Sequence, residues 1–201
     1  FFDYHIRNVS DRYDFDSVRI GIQPFSSDFR GFLFQDSQLG IRFFGDRDNN
    51  IFQYNLAWFR RLEKDTNSLL NHIERKVRDD DIFIANLYWQ DFPVLGFQSQ
   101  VTGVYNRNNE AGDFFFNDNE FIERPASFGS ERGRNYDVVY LGYNGDGHFD
   151  RLNLTTSFYT ALGSNRDSAF TDETADIKAF FFAAEPSIDF DWIRLRGSIV
   201  Y

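Results

Sequence analysis

The segment Phe52-Gln53-Tyr54-Asn55-Leu56-Ala57-Trp58 decides the fold. Its even positions hold aromatic or aliphatic side chains, and its odd positions hold two amides and an alanine. Successive side chains of a β-strand point to opposite faces, so this period of two predicts a strand with one apolar and one polar face. A wall that separates lipid from water requires this pattern.

The same alternation recurs along the chain and predicts about ten strands joined by alternately short and long connections. The predicted long connections are 25–38, 62–81, 106–135 and 163–176. Tight turns on one rim and longer loops on the other are typical of bacterial membrane barrels. The sequence therefore predicts an all-β fold, an antiparallel up-and-down transmembrane β-barrel. Residues 1–201 form a single domain without a linker, either a whole barrel or a segment of a larger one.

Two local signals lie between the predicted strands. The segment Asn144-Gly145-Asp146-Gly147 has the composition of a tight hairpin turn. Residues 66–77 carry apolar side chains on one helical face, which predicts a short helix on the surface of a long loop.

The composition combines many aromatic residues with a hydrophilic balance. The chain has 26 Phe, 10 Tyr and 3 Trp, yet its mean hydropathy is -0.49. A barrel with a lipid-facing band, aromatic girdles and a hydrated interior needs both classes of residue. No apolar run approaches the ~18 residues of a spanning helix, which excludes a helical membrane protein. The net charge of -10 argues against a general nucleic-acid binder, and the absence of cysteine fits an oxidising compartment.

The polar face of the predicted strands would line the lumen. Its candidate lining and selectivity residues are Arg42, Gln53, Asn55, Gln98, Gln100, Asn153, Arg194 and Arg196. This lining is too polar for a dry core, because burying such groups without partners costs roughly 1–3 kcal/mol each. The alternative is a soluble antiparallel sheet whose polar face meets the solvent, for which the alternation looks the same.

Amphipathic aromatic residues occur where the predicted strands meet their connections. These candidate membrane-interface anchors are Trp58, Trp89, Tyr105, Tyr143 and Trp192. Such rings prefer the level of the lipid headgroups, where one end is apolar and the other is wet. The alternative is that they pack the ends of hairpins.

The segment 26–36 predicts a constriction loop. It follows Phe25 and carries Asp28 and Arg30 among Phe29, Phe32 and Phe34, which suits a loop that folds inward and narrows a pore. Charged groups at a constriction set the preference for ions and solutes. The alternative is that Asp28 and Arg30 pair with one another on an exterior loop.

The sequence shows little support for a metal site or for catalysis. Weak calcium candidates occur in acidic turns, namely Asp46, Asp48, Asp146 and Asp150. None of them matches a twelve-residue calcium loop, so solvated turn residues are the default interpretation. No nucleophile motif lies near His5, His72 or His148. We therefore predict no enzyme activity, no resident metal and no cofactor.

Three stretches carry a resemblance to a known group of proteins. They are SDFRGFLFQD at 27–36, YDVVYLGYNGDGHF at 136–149 and AAEPSIDFDW at 183–192. They are similar to segments of large, poorly characterised porin-like outer-membrane proteins of Gram-negative bacteria, which are longer than this chain. The resemblance implies more strands on one or both sides and a location in the bacterial outer membrane. Ile199 and Tyr201 partly match the terminal strand that outer-membrane assembly reads, but the position of Gly197 fits poorly, so we expect an internal stop.

These observations predict a channel for the passive diffusion of small hydrophilic solutes or ions. The expected partners are the lipid bilayer and these solutes, with no nucleic acid, and either further copies of the chain or a protein in or on the barrel. One alternative is a structural barrel that sheathes or anchors a partner protein at the outer membrane. A second is a soluble all-β domain that binds carbohydrate on exposed aromatic rings.

Overall fold

The computed structural model describes residues 1–65, 68, 70–72, 77–117, 119–124, 133–166, 168 and 173–201. These residues form β1 (Phe2–Asn8), β2 (Phe15–Ser26), β3 (Gln35–Arg47), β4 (Phe52–Arg60), β5 (Asp80–Trp89), β6 (Phe97–Asn109), β7 (Phe115–Phe116), β8 (Ile122–Arg124), β9 (Asn135–Phe149), β10 (Leu152–Asn165), β11 (Ala175–Asp189), β12 (Arg194–Arg196) and β13 (Ile199–Val200). Among them, no helix is long and apolar enough to cross a membrane.

The strands form one large antiparallel sheet and one small hairpin. The order in the 11-stranded sheet is β1-β2-β3-β4-β5-β6-β9-β10-β11-β12, and β13 also pairs with β11. The hairpin β7-β8 lies within the connection from β6 to β9. The predicted all-β, antiparallel, up-and-down arrangement is thus confirmed. The sheet is open, because β1 at one edge does not pair with β12 or β13 at the other.

Short and long connections are sorted to opposite ends of the sheet. The end called here the turn end carries the connections 9–14, 48–51, 90–96, 150–151 and 190–193. The opposite end, called the loop end, carries 27–34, 61–79, 110–134 and 166–174. This arrangement confirms the predicted alternation, although most strands extend further than the sequence pattern indicated. The predicted helix over 66–77 falls mostly outside the described residues, and the described part of that connection contains an isolated bridge between Lys64 and Asn71.

The predicted hairpin turn at 144–147 is wrong. These residues lie inside β9, which pairs with β10 up to Phe149 and turns at Asp150, whose φ is 56°. The glycines serve close packing instead, because a Cβ on Gly145 would lie 2.5 Å from the Cζ atom of Phe97. A Cβ on Gly147 would lie 2.7 Å from the Cα atom of the same phenylalanine. A glycine in a strand often marks such an approach rather than a turn.

The sheet is strongly curved. β3 and β10 are separated by β4, β5, β6 and β9, which is roughly 24 Å along a sheet with about 4.8 Å between strands. The connection 27–34 leaves β2 and enters β3, yet its Arg30 and Phe32 contact side chains of β10 and β11. This connection therefore lies across a concave face, and the other face is convex.

The two faces differ in chemistry and in exposure. On the convex face, Leu56, Val101 and Leu141 are 53%, 58% and 52% exposed. On the concave face, amide side chains of neighbouring strands are almost fully buried, among them Gln23, Gln38, Gln100 and Asn144. A small apolar cluster also lies on the concave face near the loop end, formed by Phe25, Phe34, Ala57, Phe59, Ile82, Ile84 and Val104. The sheet therefore carries its largest exposed apolar area outside and its polar groups inside.

Candidate functional site

The connection 27–34, named here the inner loop, is held on the concave face by hydrogen bonds to its backbone. The carbonyl oxygen of Ser27 accepts from Asn86 Nδ2 at 3.1 Å, from Gln100 Nε2 at 2.8 Å and from Thr102 Oγ1 at 2.9 Å. The backbone N–H of Phe29 donates to Gln100 Oε1 at 3.1 Å. Side chains of β5 and β6 thus satisfy polar groups of the loop, as buried polar groups require.

The carboxylate of Asp28 organises the inner loop from within. It accepts hydrogen bonds from the backbone N–H groups of Arg30, Phe32 and Leu33 at 3.1, 2.9 and 3.0 Å. It also accepts from the hydroxyl of Tyr159 on β10 at 2.9 Å, and Asp28 is only 3% exposed. Hydrogen bonds to an ionised acceptor are among the strong ones, so Asp28 fixes both the loop conformation and its contact with the wall.

The far end of the inner loop contacts β10 and β11. Arg30 donates from Nε to Ser157 Oγ at 2.8 Å and from a terminal nitrogen to Glu185 Oε1 at 3.0 Å. The ring of Phe32 stacks on Tyr159 and on Phe181, with centroid distances of 4.9 and 4.8 Å. The inner loop is therefore anchored on both of these strands.

Of the two predicted arrangements of segment 26–36, the structure contains the inward fold. The side chains of Asp28 and Arg30 do not pair with one another, and each bonds to a different part of the wall. The pairing partners Tyr159, Ser157 and Glu185 lie more than a hundred residues away in sequence. In the sequence, the period of two along β10 and β11 was the signal that could have assigned these three residues to the face that the loop contacts.

Most of the predicted lumen-lining residues lie together on the concave face. Arg42, Gln53, Asn55, Gln98, Gln100 and Asn153 occupy this face on β3, β4, β6 and β10. Arg194 and Arg196 lie on the edge strand β12 at the turn end, and both are exposed. Arg194 pairs with Asp189, which also accepts a hydrogen bond from Asn153 Nδ2 at 2.8 Å. The two terminal arginines are thus near the rim rather than near the inner loop.

Amide side chains connect the concave face from strand to strand. Arg42 donates from Nε to Asn55 Oδ1 at 2.6 Å, and Asn55 donates to Asn86 Oδ1 at 2.8 Å. Gln100 in turn accepts from Asn144 Nδ2 at 3.4 Å. Because each of these amides both donates and accepts, the row satisfies its own polar groups.

A buried ionic network at the loop end was not predicted from the sequence. Arg78 forms two hydrogen bonds with the Glu110 carboxylate, at 3.0 and 2.8 Å, and Asp80 accepts from Asn106 Nδ2 at 2.5 Å. Burial disfavours the charged form of Arg78, but the hydrogen bond and charge of Glu110, with the charge of Asp80, raise its pKa. The acidic run at 79–81 was the available signal, but its basic partners could not be identified without the fold.

Four of the five predicted interface aromatics lie near an end of the sheet. At the loop end, Trp58 Nε1 donates to Asp81 Oδ1 and the Tyr105 hydroxyl donates to Asp137 Oδ1, both at 2.9 Å. Their polar atoms therefore point toward a row of charged residues, whereas the rings adjoin the apolar band. Trp89 and Trp192 lie at the turn end, where Trp192 is 86% exposed, whereas Tyr143 lies in the middle of β9 opposite Val101 and Phe158. The role of these residues as membrane-interface anchors stays a prediction.

The weak calcium candidates do not form a cluster of ligands. Within the described ranges, no group of three or more His, Asp or Glu side chains could hold a metal ion. Asp146 is part of β9 rather than of a turn, and it accepts from Thr155 Oγ1 at 2.5 Å. Asp48 and Asp150 are exposed turn residues. Asp46 borders an open cavity of about 570 Å³ at the turn end, together with His5, Asn8, Arg12, Tyr13, Phe15, Asn49 and Asn50.

Comparison with known proteins leaves the family open. No protein-family model matches the chain, and a search of curated proteins finds no match.

Proposed function

We propose that this chain forms wall strands of an outer-membrane β-barrel that acts as a passive channel for small hydrophilic solutes or ions. The inner loop narrows the lumen of this channel. One observation carries the proposal: the apolar face of the sheet is exposed and convex, whereas the polar face is concave and internally hydrogen-bonded. A bilayer outside and a hydrated lumen inside would suit both faces.

The exposed convex face is hard to reconcile with water as its only surroundings. Apolar area left in water forgoes about 25 cal/mol per Å² of transfer free energy. Monomeric soluble proteins rarely expose contiguous apolar patches above a few hundred Å². Here the exposed apolar positions recur on one face of neighbouring strands, at Ile41, Leu56, Phe83, Val101, Leu141, Phe158 and Phe180. Contact with lipid would remove this penalty.

The dimensions of the strands support the same proposal. The main strands from β2 to β11 run from the nine residues of β4 to the fifteen of β9 and β11. A tilted transmembrane strand needs about 9–11 residues. The sorting of connections to a turn end and a loop end is also typical of outer-membrane barrels.

A membrane location imposes one further requirement on the open sheet. Backbone groups at an unpaired strand edge cannot find water inside a bilayer, so every spanning sheet must close. The proposed barrel is therefore larger than this sheet, and both edges, β1 and β12 with β13, pair with additional strands. Those strands come from the same polypeptide or from a further copy.

Planar-bilayer recording tests this proposal. The protein is extracted in detergent, reconstituted at low density and recorded in salt solution, with a heat-unfolded sample as the matched control. We expect extraction to require detergent, gel migration to change on heating, and stepwise ion conductance to appear only with the folded sample. A monodisperse protein in detergent-free buffer that produces no conductance would contradict the proposal and favour the soluble carbohydrate-binding alternative.

A further inference from the structure

Two arginines lie side by side on the part of the concave face formed by β1 to β4. Arg19 on β2 and Arg42 on β3 are direct register partners, so their side chains leave the same face. Both guanidinium groups lie over the ring of Phe44, at 5.4 and 4.3 Å from its centroid. Like charges directly opposite each other across a sheet are destabilising unless other groups compensate.

The two arginines differ in how their positive charges are neutralised. Arg19 is paired with Asp3, with hydrogen bonds of 2.8 and 2.5 Å to the carboxylate. Arg42 has a neutral partner, Asn55, and no carboxylate among the described residues lies within ion-pair distance of its guanidinium. Because Asp3 neutralises Arg19, one positive charge remains, and the half-buried Arg42 side chain carries it.

Among the described residues, the edge of the Arg42 guanidinium formed by its two terminal nitrogens has no hydrogen-bond partner. Its Nε edge bonds to Asn55, and the rings of Phe25 and Phe44 lie 5.1 and 4.3 Å from the guanidinium carbon. These contacts hold the planar group by cation–π attraction. The two terminal nitrogens remain, and they present parallel N–H groups that match the two oxygens of a carboxylate.

We infer that Arg42 forms an anion subsite for small solutes that carry a carboxylate group. The inference rests on the proposed function in one respect, because it assumes that solutes reach a hydrated concave face. It goes further by naming the class of solute and the residue that binds it. The subsite lies beside the inner loop, because Asn55, the partner of Arg42, bonds to Asn86, which donates to the carbonyl oxygen of Ser27.

Titration of trifluoroacetate, observed by ¹⁹F NMR with the detergent-solubilised full chain, tests the inference. We expect a saturable shift with the wild-type protein and at least about a tenfold rise in the half-saturating concentration for Arg42→Gln, since a hydrogen bond to a charged group contributes about 1.5–3 kcal/mol. Arg42→Lys keeps the positive charge but loses the two parallel N–H groups, and it should weaken binding several-fold. Arg107→Gln, which removes an arginine from the exposed convex rim, is the matched control and should bind as the wild type does.

Three results would overturn the inference. They are a wild-type shift that does not saturate, equal binding by wild type and Arg42→Lys, and an equal loss in Arg107→Gln. Bilayer recording separates this failure from failure of the channel itself. Carboxylate binding at Arg42 without conductance would refute the channel alone, whereas conductance without an Arg42 effect on binding would refute the subsite alone.

Discussion

Convex and concave side chains alternate along the same strand but meet different surroundings. On β6, Val101 and Tyr105 point to the convex face and are exposed, whereas Gln100 and Thr102 point to the concave face and are buried beneath the inner loop. A soluble sheet with one solvated face would show the reverse, with its apolar face covered. The comparison teaches that this fold does not rely on a large dry core. Its polar face is stabilised by hydrogen bonds, and its apolar face is exposed.

The largest expected effect comes from placing a charge on the convex face. Leu141→Arg should lower the free energy of unfolding in lipid vesicles by about 2–4 kcal/mol, since a lipid-facing arginine near the membrane midplane costs this much. Leu95→Arg is the matched control, because Leu95 is 84% exposed in a turn beyond the strands. Urea titration followed by tryptophan fluorescence measures both. Equal stability of the two variants would contradict the proposed contact of the convex face with lipid.

A slightly smaller effect is expected on the concave side. Asp28→Ala should destabilise the protein by about 2–3 kcal/mol, because the loop N–H groups and the Tyr159 hydroxyl would lose a charged acceptor. We also expect single-channel conductance to rise, since the released inner loop would no longer narrow the lumen. Asp36→Ala, which alters a residue in β3 next to the loop, is the comparison variant. Unchanged conductance in Asp28→Ala would show that the inner loop does not narrow the channel.

Trp58→Phe tests whether the hydrogen bond of Trp58 at the loop end stabilises the protein. It keeps an aromatic ring but removes the N–H that donates to Asp81, at a cost of about 1 kcal/mol. Trp192→Phe should leave the free energy of unfolding nearly unchanged, because Trp192 is almost fully exposed. Urea titration in vesicles compares the two variants. A loss in Trp192→Phe as large as that in Trp58→Phe would mean that the loss in Trp58→Phe does not come from its hydrogen bond to Asp81.

The smallest effect is expected at the turn-end rim. Arg194→Ala removes an exposed ion pair with Asp189, and such pairs contribute about 0–1 kcal/mol. High salt should reduce even this difference, because exposed charges are screened. Unfolding titrations at low and high salt measure it. A loss well above this range would mean that β12 is covered in the assembled protein.

The period of two in the sequence predicted much of the fold. It placed Gln53, Asn55 and Gln100 on one face and Leu56 on the other, because side-chain direction in a strand depends only on position. The sequence left two arrangements open for segment 26–36, an inward loop and an exterior loop.

Other features depended on contacts distant in sequence. Asp28 bonds to Tyr159, and Arg78 bonds to Glu110, so neither role could be inferred from local pattern. The turn predicted at 144–147 was wrong because Gly145 and Gly147 make room for Phe97, a residue of another strand. Local turn chemistry and close packing select the same residue type, and only the tertiary structure distinguishes them.

Spin-label accessibility gives the most direct test of the two faces. The chain contains no cysteine, so a single cysteine introduced by Leu141→Cys or Gln98→Cys can be spin-labelled without labelling of any other residue. In lipid vesicles, we expect the Leu141 label on the convex face to collide with oxygen and to be shielded from a water-soluble nickel chelate. The Gln98 label on the concave face should show the opposite preference. A Leu141 label that collides freely with the nickel chelate would contradict the claim that this face contacts hydrocarbon.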